Sequence, residues 1–364
     1  MAYSQTRRAF TLSAASAMGI LARPRAITAD GDPQTLAEAG RAVGLDIGSS
    51  VRGNLPPALA AIIARECTLV TPENALKPES LTTERGIYLW TPAEKIADFA
   101  RANGLRLHGH TLFWYKRPLP WAPDSQAPDK LDAIAAVYGE FISAVMQHFP
   151  DVVSWDVLNE IAGSSHLLRD TFPISRYGLD FVERLLRSAR DNAPKARLAL
   201  NENDLECGAG ACSTKRKNVL KTVRGLLDRG APLDAIGIQS HLSSYNLPAT
   251  QETLRFIRSL EQLGLDVYIS EMDVNDAEFA ARIDRRDAEV ATLYRDYLDT
   301  VLQSRAVKRV VFWGLADSAN WISDGEARRR GDGKGQRPAL FDTFLDKKPA
   351  YCQVMEALRG APSR

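Results

Sequence analysis

A (β/α)8 barrel is the fold this sequence predicts. Three observations predict it: eight short apolar runs in one chain, helical patterns between them, and polar side chains closing nearly every run. In order, the runs are Val43–Ile47, Cys67–Thr71, Leu105–His110, Val152–Leu158, Arg197–Asn201, Ala235–Ser240, Asp266–Ser270 and Arg309–Gly314. Each has the length of a strand and ends in polar residues. The stretches between them carry helical periodicity: Pro92–Ala102, Leu131–His148, Leu179–Asn192, Lys215–Arg229, Thr250–Leu263 and Asp287–Ser304. Strands that alternate with helices form a parallel sheet, and eight such units close a barrel. An open doubly wound sheet is the structural alternative. The segment after the first run, Asp46-Ile47-Gly48-Ser49-Ser50, lacks the glycine spacing of a phosphate loop, which sets nucleotide binding aside. No low-complexity linker divides residues 34–360, so one domain is expected there.

Residues 1–29 stand apart. They carry Arg7, Arg8, Arg23 and Arg25, no acidic residue, and a mildly apolar run from Ala9 to Ala22 that is too short to span a bilayer. Thr6-Arg7-Arg8-Ala9-Phe10 resembles a twin-arginine export signal, so an exported, periplasmic or secreted protein is expected, with cleavage near Ala29. The chain of 364 residues is 45% hydrophobic and 25% charged, which excludes a disordered or collagen-like class. Its 46 basic and 45 acidic residues give no general pull toward nucleic acid or an anionic membrane. Four cysteines are too few for a disulfide scaffold and show no paired zinc spacing. No metal, cofactor, nucleic acid or membrane span is expected, and the chain is expected to be a monomer.

In a barrel of this kind the active site lies where the strands end. The second run ends at Glu73-Asn74 with Lys77 beyond it. The third ends at His108-Gly109-His110, then Trp114. The fourth ends at Asn159-Glu160, the fifth at Asn201-Glu202-Asn203-Asp204 and the sixth at Gln239-Ser240-His241. The seventh ends at Glu271-Met272-Asp273 and the eighth at Trp313-Gly314. Solvation accounts for a few polar strand ends, not for amide, carboxylate, imidazole and indole at nearly every one. Glu160 and Glu271 are expected to face each other across the barrel and to flank one bound group. Glycoside hydrolysis needs such a pair, one carboxyl to protonate the leaving oxygen and one to attack the sugar or activate water. A lone strand-end glutamate is usually an ion-pair partner. Here Asn159 stands beside one of the pair, and His241 and Asp273 are available to the other.

These segments, taken together, resemble glycoside hydrolase family 10, the endo-β-1,4-xylanases. Glu73-Asn74-Ala75-Leu76-Lys77 resembles the family's E-N-x-M-K, and Gly109-His110-Thr111-Leu112-Phe113-Trp114 its G-H-T-L-x-W. Trp155-Asp156-Val157-Leu158-Asn159-Glu160 resembles W-D-V-x-N-E. Gly237-Ile238-Gln239-Ser240-His241-Leu242 resembles G-x-Q-S-H-L, and Ser270-Glu271-Met272-Asp273 resembles T-E-L-D. Val311-Phe312-Trp313-Gly314 and Pro338-Ala339-Leu340-Phe341-Asp342 resemble the family's ending. The resemblance runs from about residue 40 to residue 352. It implies a retaining endo-1,4-β-xylanase acting on xylan or xylo-oligosaccharides. Glu160 would be the acid/base and Glu271 the nucleophile. His241 and Asp273 would hold and charge-tune Glu271, and Asn159 would bond the sugar 2-OH. Lys77, His110, Gln239 and Trp313 would line the sugar at the cleavage point, and Glu73 and Asn74 would grip the next xylose toward the non-reducing end. Trp114 and Trp321 would offer flat faces to sugar rings, while Trp90 and Trp155 read as core and Trp121 as a loop residue.

The chain departs from the family pattern in three places. Tyr115 stands where a histidine is usual, Pro78 where an aromatic follows the lysine, and Asn201-Glu202-Asn203-Asp204 where the pattern reads N-D-Y-N. Two rival readings remain open at this stage. His108-x-His110 is also how a metal-dependent amidohydrolase would begin a binuclear site. A barrel glycosidase acting on β-mannan or β-glucan is the other. Cys207 and Cys212 lie in a loop of small residues and are expected to close a short disulfide in an oxidising compartment, while Cys67 and Cys352 read as buried. The run Arg328–Gly335 reads as a solvated loop on the active-site face.

Overall fold

Runs this apolar need cover on both faces, and helices supply it. The computed structural model describes residues 34–123, 130–323 and 330–364. The expected export segment, residues 1–29, lies outside the described residues, as do Arg328 and Arg329. Among the described residues nine strands follow one another: β1 (Asp46–Val51), β2 (Leu69–Pro72), β3 (Arg106–Trp114), β4 (Ser154–Asn159), β5 (Arg197–Glu202), β6 (Ala235–Ile238), β7 (His241–Ser243), β8 (Asp266–Asn275) and β9 (Val307–Phe312). All pair in parallel in the order β6-β5-β4-β3-β2-β1-β9-β8, and a β6–β8 ladder closes the ring. β7 continues the sixth run beyond a break at Gln239 and Ser240 and pairs with β8. The ring therefore holds eight strands, a (β/α)8 barrel.

Helices occupy the connections: α1 (Leu36–Ala42), α2 (Pro57–Glu66), α3 (Pro78–Leu81), α4 (Thr91–Ala102), α5 (Leu131–His148), α6 (Ile174–Asn192), α7 (Gly210–Asp228), α8 (Thr250–Gln262), α9 (Ile283–Val301) and α10 (Pro349–Gly360). α5 shows why they form. Ile134, Val137, Tyr138, Phe141, Ile142 and Val145 recur at helical spacing and are all buried. Truncating Phe141 there would cost about 3–5 kcal/mol. Thr35 starts α1 with a capping box to Glu38. The helix expected over Leu179–Asn192 is the main part of α6, which breaks at Gly178 (φ 56°, ψ −138°).

The first strand lies later than expected, because Val43 caps α1 and Gly44 turns the chain at φ 77°. Ser49 and Ser50 continue the strand and are buried in it. Trp155 is core, as expected, and Gly109 makes room for it: a Cβ on Gly109 would lie 2.0 Å from the indole. Trp90 is not core. It is half-buried at the edge, stacked on Tyr88 at 4.4 Å and His148 at 4.1 Å. Trp121 is also half-buried and reaches Thr82 Oγ1 at 3.4 Å. Cys67 is buried but Cys352 is exposed, contrary to expectation, because it falls on the outer face of α10. Arg330 is likewise no solvated loop residue. It is buried, and its guanidinium bonds Asp276 and the carbonyl of Phe279.

Glu160 and Glu271 do not sit directly opposite one another. β4 and β8 are three steps apart around the ring, with β5 and β6 between them, whereas opposite strands are four apart. The ends of β5 and β6 therefore lie between the two carboxylates and can bridge them.

Candidate active site

The strand ends open into a cleft of about 630 Å³. Glu73, Asn74, Lys77, His110, Trp114, Asn159, Glu160, Gln239, His241, Glu271, Trp313 and Trp321 all line it, as their positions after the strands require. Asp273 is fully buried and sits behind His241.

Glu271 is held by donors on both oxygens. Asn201 Nδ2 donates to Oε1 at 2.6 Å, and His241 Nε2 meets Oε2 at 3.3 Å. The other imidazole nitrogen, Nδ1, is 2.8 Å from Asp273 Oδ1. A ring that faces carboxylates through both nitrogens donates twice and is the imidazolium. Burial alone would push its pKa down, but Asp273 and Glu271 outweigh burial and hold it well above the ordinary histidine value. For Glu271 burial pushes upward. The hydrogen bond from His241 and the fields of His110, His241 and Lys77 outweigh it, so the carboxyl lies below the ordinary glutamate range. Asp273 is fixed in turn by Trp321 Nε1 at 2.6 Å and Asn320 Nδ2 at 3.5 Å. Gly237 leaves the space that Asn201 fills, since a Cβ there would come within 2.1 Å of the amide oxygen.

Glu160 has a different setting. It ends β4 in the left-handed region (φ 55°), a strained conformation for a residue with a Cβ, worth about 1–3 kcal/mol. Its backbone is pinned on both sides: its N–H donates to the Asn201 carbonyl at 2.8 Å, and its own carbonyl accepts from Arg169 Nε at 2.8 Å. Buried Glu202, paired with Lys215 at 2.9 Å, accepts the Ala162 N–H and fixes the chain just beyond. The carboxyl itself touches Gln239 Nε2 at 3.3 Å and Lys116 Nζ at 3.0 Å. Gln239 also reaches Asn159 Oδ1 at 3.4 Å, and its carbonyl accepts the Glu271 N–H at 3.0 Å. One glutamine thus ties both glutamates together. Asn159 Oδ1 takes a further bond from Asn201 Nδ2 at 3.0 Å, so these bonds engage its oxygen and leave its amide nitrogen out.

Toward β2 the cleft is built from ion pairs. Arg52 forks onto Glu73 at 2.9 and 3.0 Å, Asn74 Nδ2 donates to Glu73 at 3.3 Å, and Lys77 Nζ donates to Asn74 Oδ1 at 3.0 Å. Burial lowers the Lys77 pKa, and Glu271 and Glu73 oppose that shift only in part. The Lys77 ammonium lies 4.9 Å from the Trp114 ring centre. Trp313 packs edge-on to His110 at 5.3 Å and Trp321 lies 5.1 Å from the His241 ring.

The His108-x-His110 pair is committed within the barrel. His110 Nδ1 bonds Asp156 at 2.8 Å, His108 Nε2 reaches the same carboxylate at 3.1 Å, and His108 Nδ1 meets Ser154 Oγ at 2.8 Å. Burial raises the Asp156 pKa, but the two imidazoles outweigh it and hold the carboxyl far below its ordinary value. Among the described residues no three His, Cys, Asp or Glu side chains gather as metal ligands.

Four cleft residues escaped the sequence reading: Arg52, Lys116, Glu206 and Tyr245. Asn201 was visible as a strand end, but its bond to Glu271 was not. Arg52 directly follows β1, but the expected first run stopped at Ile47 and so left it out. Lys116 had only its closeness to Trp114 to mark it.

A cleft that pairs two carboxylates over a floor of amide donors suits cleavage of an acetal between sugars, and fold and site together define a glycoside hydrolase. The match is narrower than that. The sequence model of glycosyl hydrolase family 10 covers residues 34–357, and the chain belongs to that family. An endo-1,4-beta-xylanase A of Halalkalibacterium halodurans is 29% identical over 338 residues, covering 85% of this chain and 84% of the relative. Native xylanase 10B of Thermotoga maritima superposes with a TM-score of 0.79 at 29% identity, over 89% of this chain and 98% of that one. Xylanase 10B of Thermotoga petrophila RKU-1, solved in complex with xylobiose, gives 0.79 at 28% identity, over 90% and 98%. Among the described residues no helix is long and apolar enough to cross a membrane.

Proposed function

We propose that this chain is a retaining endo-1,4-β-xylanase that cuts xylan by double displacement, with Glu160 as acid/base and Glu271 as nucleophile. The observation that carries the reading is the contrast between two carboxylates in one cleft. Glu271 is clamped as a carboxylate by His241 and Asn201, whereas Glu160 meets a neutral amide and a half-exposed lysine. The xylanases among its relatives supply the substrate class.

In the first step a Glu271 oxygen attacks the anomeric carbon as Glu160 gives its proton to the glycosidic oxygen. The bond to the leaving sugar breaks, and a xylosyl ester forms on Glu271. In the second step Glu160 takes a proton from water, the water oxygen attacks the same carbon, and Glu271 leaves as the carboxylate. Two inversions give a β product. The Asn159 amide nitrogen bonds the 2-OH. Lys77, His110, Gln239 and Trp313 surround the reacting sugar, Trp114 and Trp321 offer faces to sugar rings, and Glu73 and Asn74 hold the next xylose toward the non-reducing end. Proton NMR of nascent products tests the reading: the β anomer is expected first, and an α anomer first would withdraw both glutamate roles.

Residues 34–360 are the catalytic domain in this reading, and residues 1–29 direct export through the twin-arginine route. The disulfide joining Cys207 and Cys212, whose Cα atoms are 5.9 Å apart, suits an oxidising destination. Replacing Arg7 and Arg8 with lysine is expected to retain precursor in the cytoplasm, and unchanged export would remove the proposed route.

A further inference from the structure

The cleft runs from a β2 end, where Glu73 and Asn74 lie, to a β5–β7 end with Asn203, Asp204, Glu206 and Tyr245. On the reading above, the β2 end holds the non-reducing part of the chain. The β5–β7 end therefore receives the leaving group. We infer that Tyr245 is the platform on which the sugar just beyond the scissile bond stacks; the inference rests on the glycosidase reading of the same site.

Three observations carry it. First, Tyr245 lines the cleft yet is 67% exposed, and among the described residues no hydrogen bond or ring contact engages it. Second, its backbone is fixed while its ring is not. Ser244 N–H donates to the Asn275 carbonyl at 2.9 Å and Ser244 Oγ accepts from the Glu278 N–H at 2.9 Å, while Asn246 N–H donates to Ser243 Oγ at 3.0 Å. A few residues on, Pro248 bridges to Cys207 and Ala249 N–H donates to the Glu206 carbonyl at 2.8 Å. The loop thus stands on the segment that the Cys207–Cys212 disulfide closes. Third, among the described residues the other six-membered rings of the cleft belong to Trp114 at the end of β3, Trp313 just after β9 and Trp321 in the loop beyond. After β5, Asn203 stands where the family pattern has tyrosine.

The chemistry follows from the sugar. A pyranose presents a face of C–H bonds, which packs on an aromatic face, while its equatorial hydroxyls point outward to polar groups. Asp204 and Glu206 are acceptors of the right kind on the same wall. A tyrosine on a fixed backbone has only two side-chain torsions to lose, so holding its ring against the sugar costs little entropy.

The test compares xylotetraose with β-xylobiosyl fluoride, whose leaving fluoride puts no sugar beyond the scissile bond. In Tyr245→Ala the ratio of kcat/KM for xylotetraose to that for the fluoride is expected to fall about 3- to 10-fold, and Tyr245→Phe is expected to restore it. An unchanged ratio, or equal losses on both substrates, overturns the inference and leaves the glycosidase reading standing. Failure of the wild-type enzyme to turn over either substrate overturns that reading, and this inference with it.

Discussion

The surroundings of Glu271 and Glu160 differ in construction, although both residues end strands of one barrel. Glu271 stands on a closed chain of contacts, from Asn201 and His241 to Asp273, and from Asp273 to Trp321 and Asn320. Most members of that chain are buried, so the charge is fixed by groups that cannot relax toward water. Glu160 is held mainly by its backbone, at a strained φ, and its carboxyl meets Gln239 and the half-exposed Lys116. The nucleophile role proposed for Glu271 requires a carboxylate that stays ionised and still. The acid/base role proposed for Glu160 requires it to exchange a proton with leaving group and water in turn, which suits its fewer fixed partners.

The contrast can be broken experimentally. The largest effect is expected from Glu271→Ala, because no other cleft carboxylate carries the same clamp. Turnover should fall on the order of 10⁴-fold or more, and azide should not restore it. Measurable turnover with a normal product anomer would move the nucleophile elsewhere. Next is Glu160→Ala, expected to lose about 10²- to 10⁴-fold on xylan. It should still form the ester from an activated aryl glycoside, and azide should release that ester as a β-xylosyl azide. Glu160→Gln should also flatten the basic limb of the pH profile for good leaving groups, and a basic limb that stays as it was assigns the acid to another residue.

The smallest effect sharpens the comparison. His241→Asn removes the donor and the positive charge that offset the burial of Glu271. The lost hydrogen bond to a charged group corresponds to about 1.5–3 kcal/mol, or roughly 10- to 100-fold in turnover. The sign in pH is fixed. In the wild type the Glu271 pKa is lowered, so activity persists as pH falls until the carboxylate takes a proton below the ordinary glutamate range. Without His241 that protonation comes sooner, and the acid limb should move to higher pH. A pH–rate profile of kcat/KM with an unmoved acid limb would leave His241 as packing only.

Much of the fold was legible because it is local chemistry. Apolar runs of strand length and helix-period stretches alternate in the chain, and the parallel ladder follows from that order. Boundaries slipped where local and tertiary signals disagreed. Ser49 and Ser50 lie beyond the expected first run, yet they are strand residues, buried in the barrel wall. Cys352 looks like a core cysteine, yet the α10 face on which it falls is exposed. Arg330 reads as a solvated charge until Asp276 appears beside it.

The sequence by itself determined which residues stand at the strand ends, because a strand fixes where its own last side chains fall. Glu160, Glu271, Gln239, His241 and the rest of the rim follow from that. Only the tertiary structure decided how those residues meet. That Asn201 bonds Glu271, that Asp156 serves both His108 and His110, that Gln239 links the two glutamates, and that Tyr245 reaches the cleft all depend on neighbouring strands and loops. Among these contacts the sequence separation is 46 residues between His110 and Asp156 and 70 between Asn201 and Glu271. Register and ring closure set such distances, and neither is a property of any one segment.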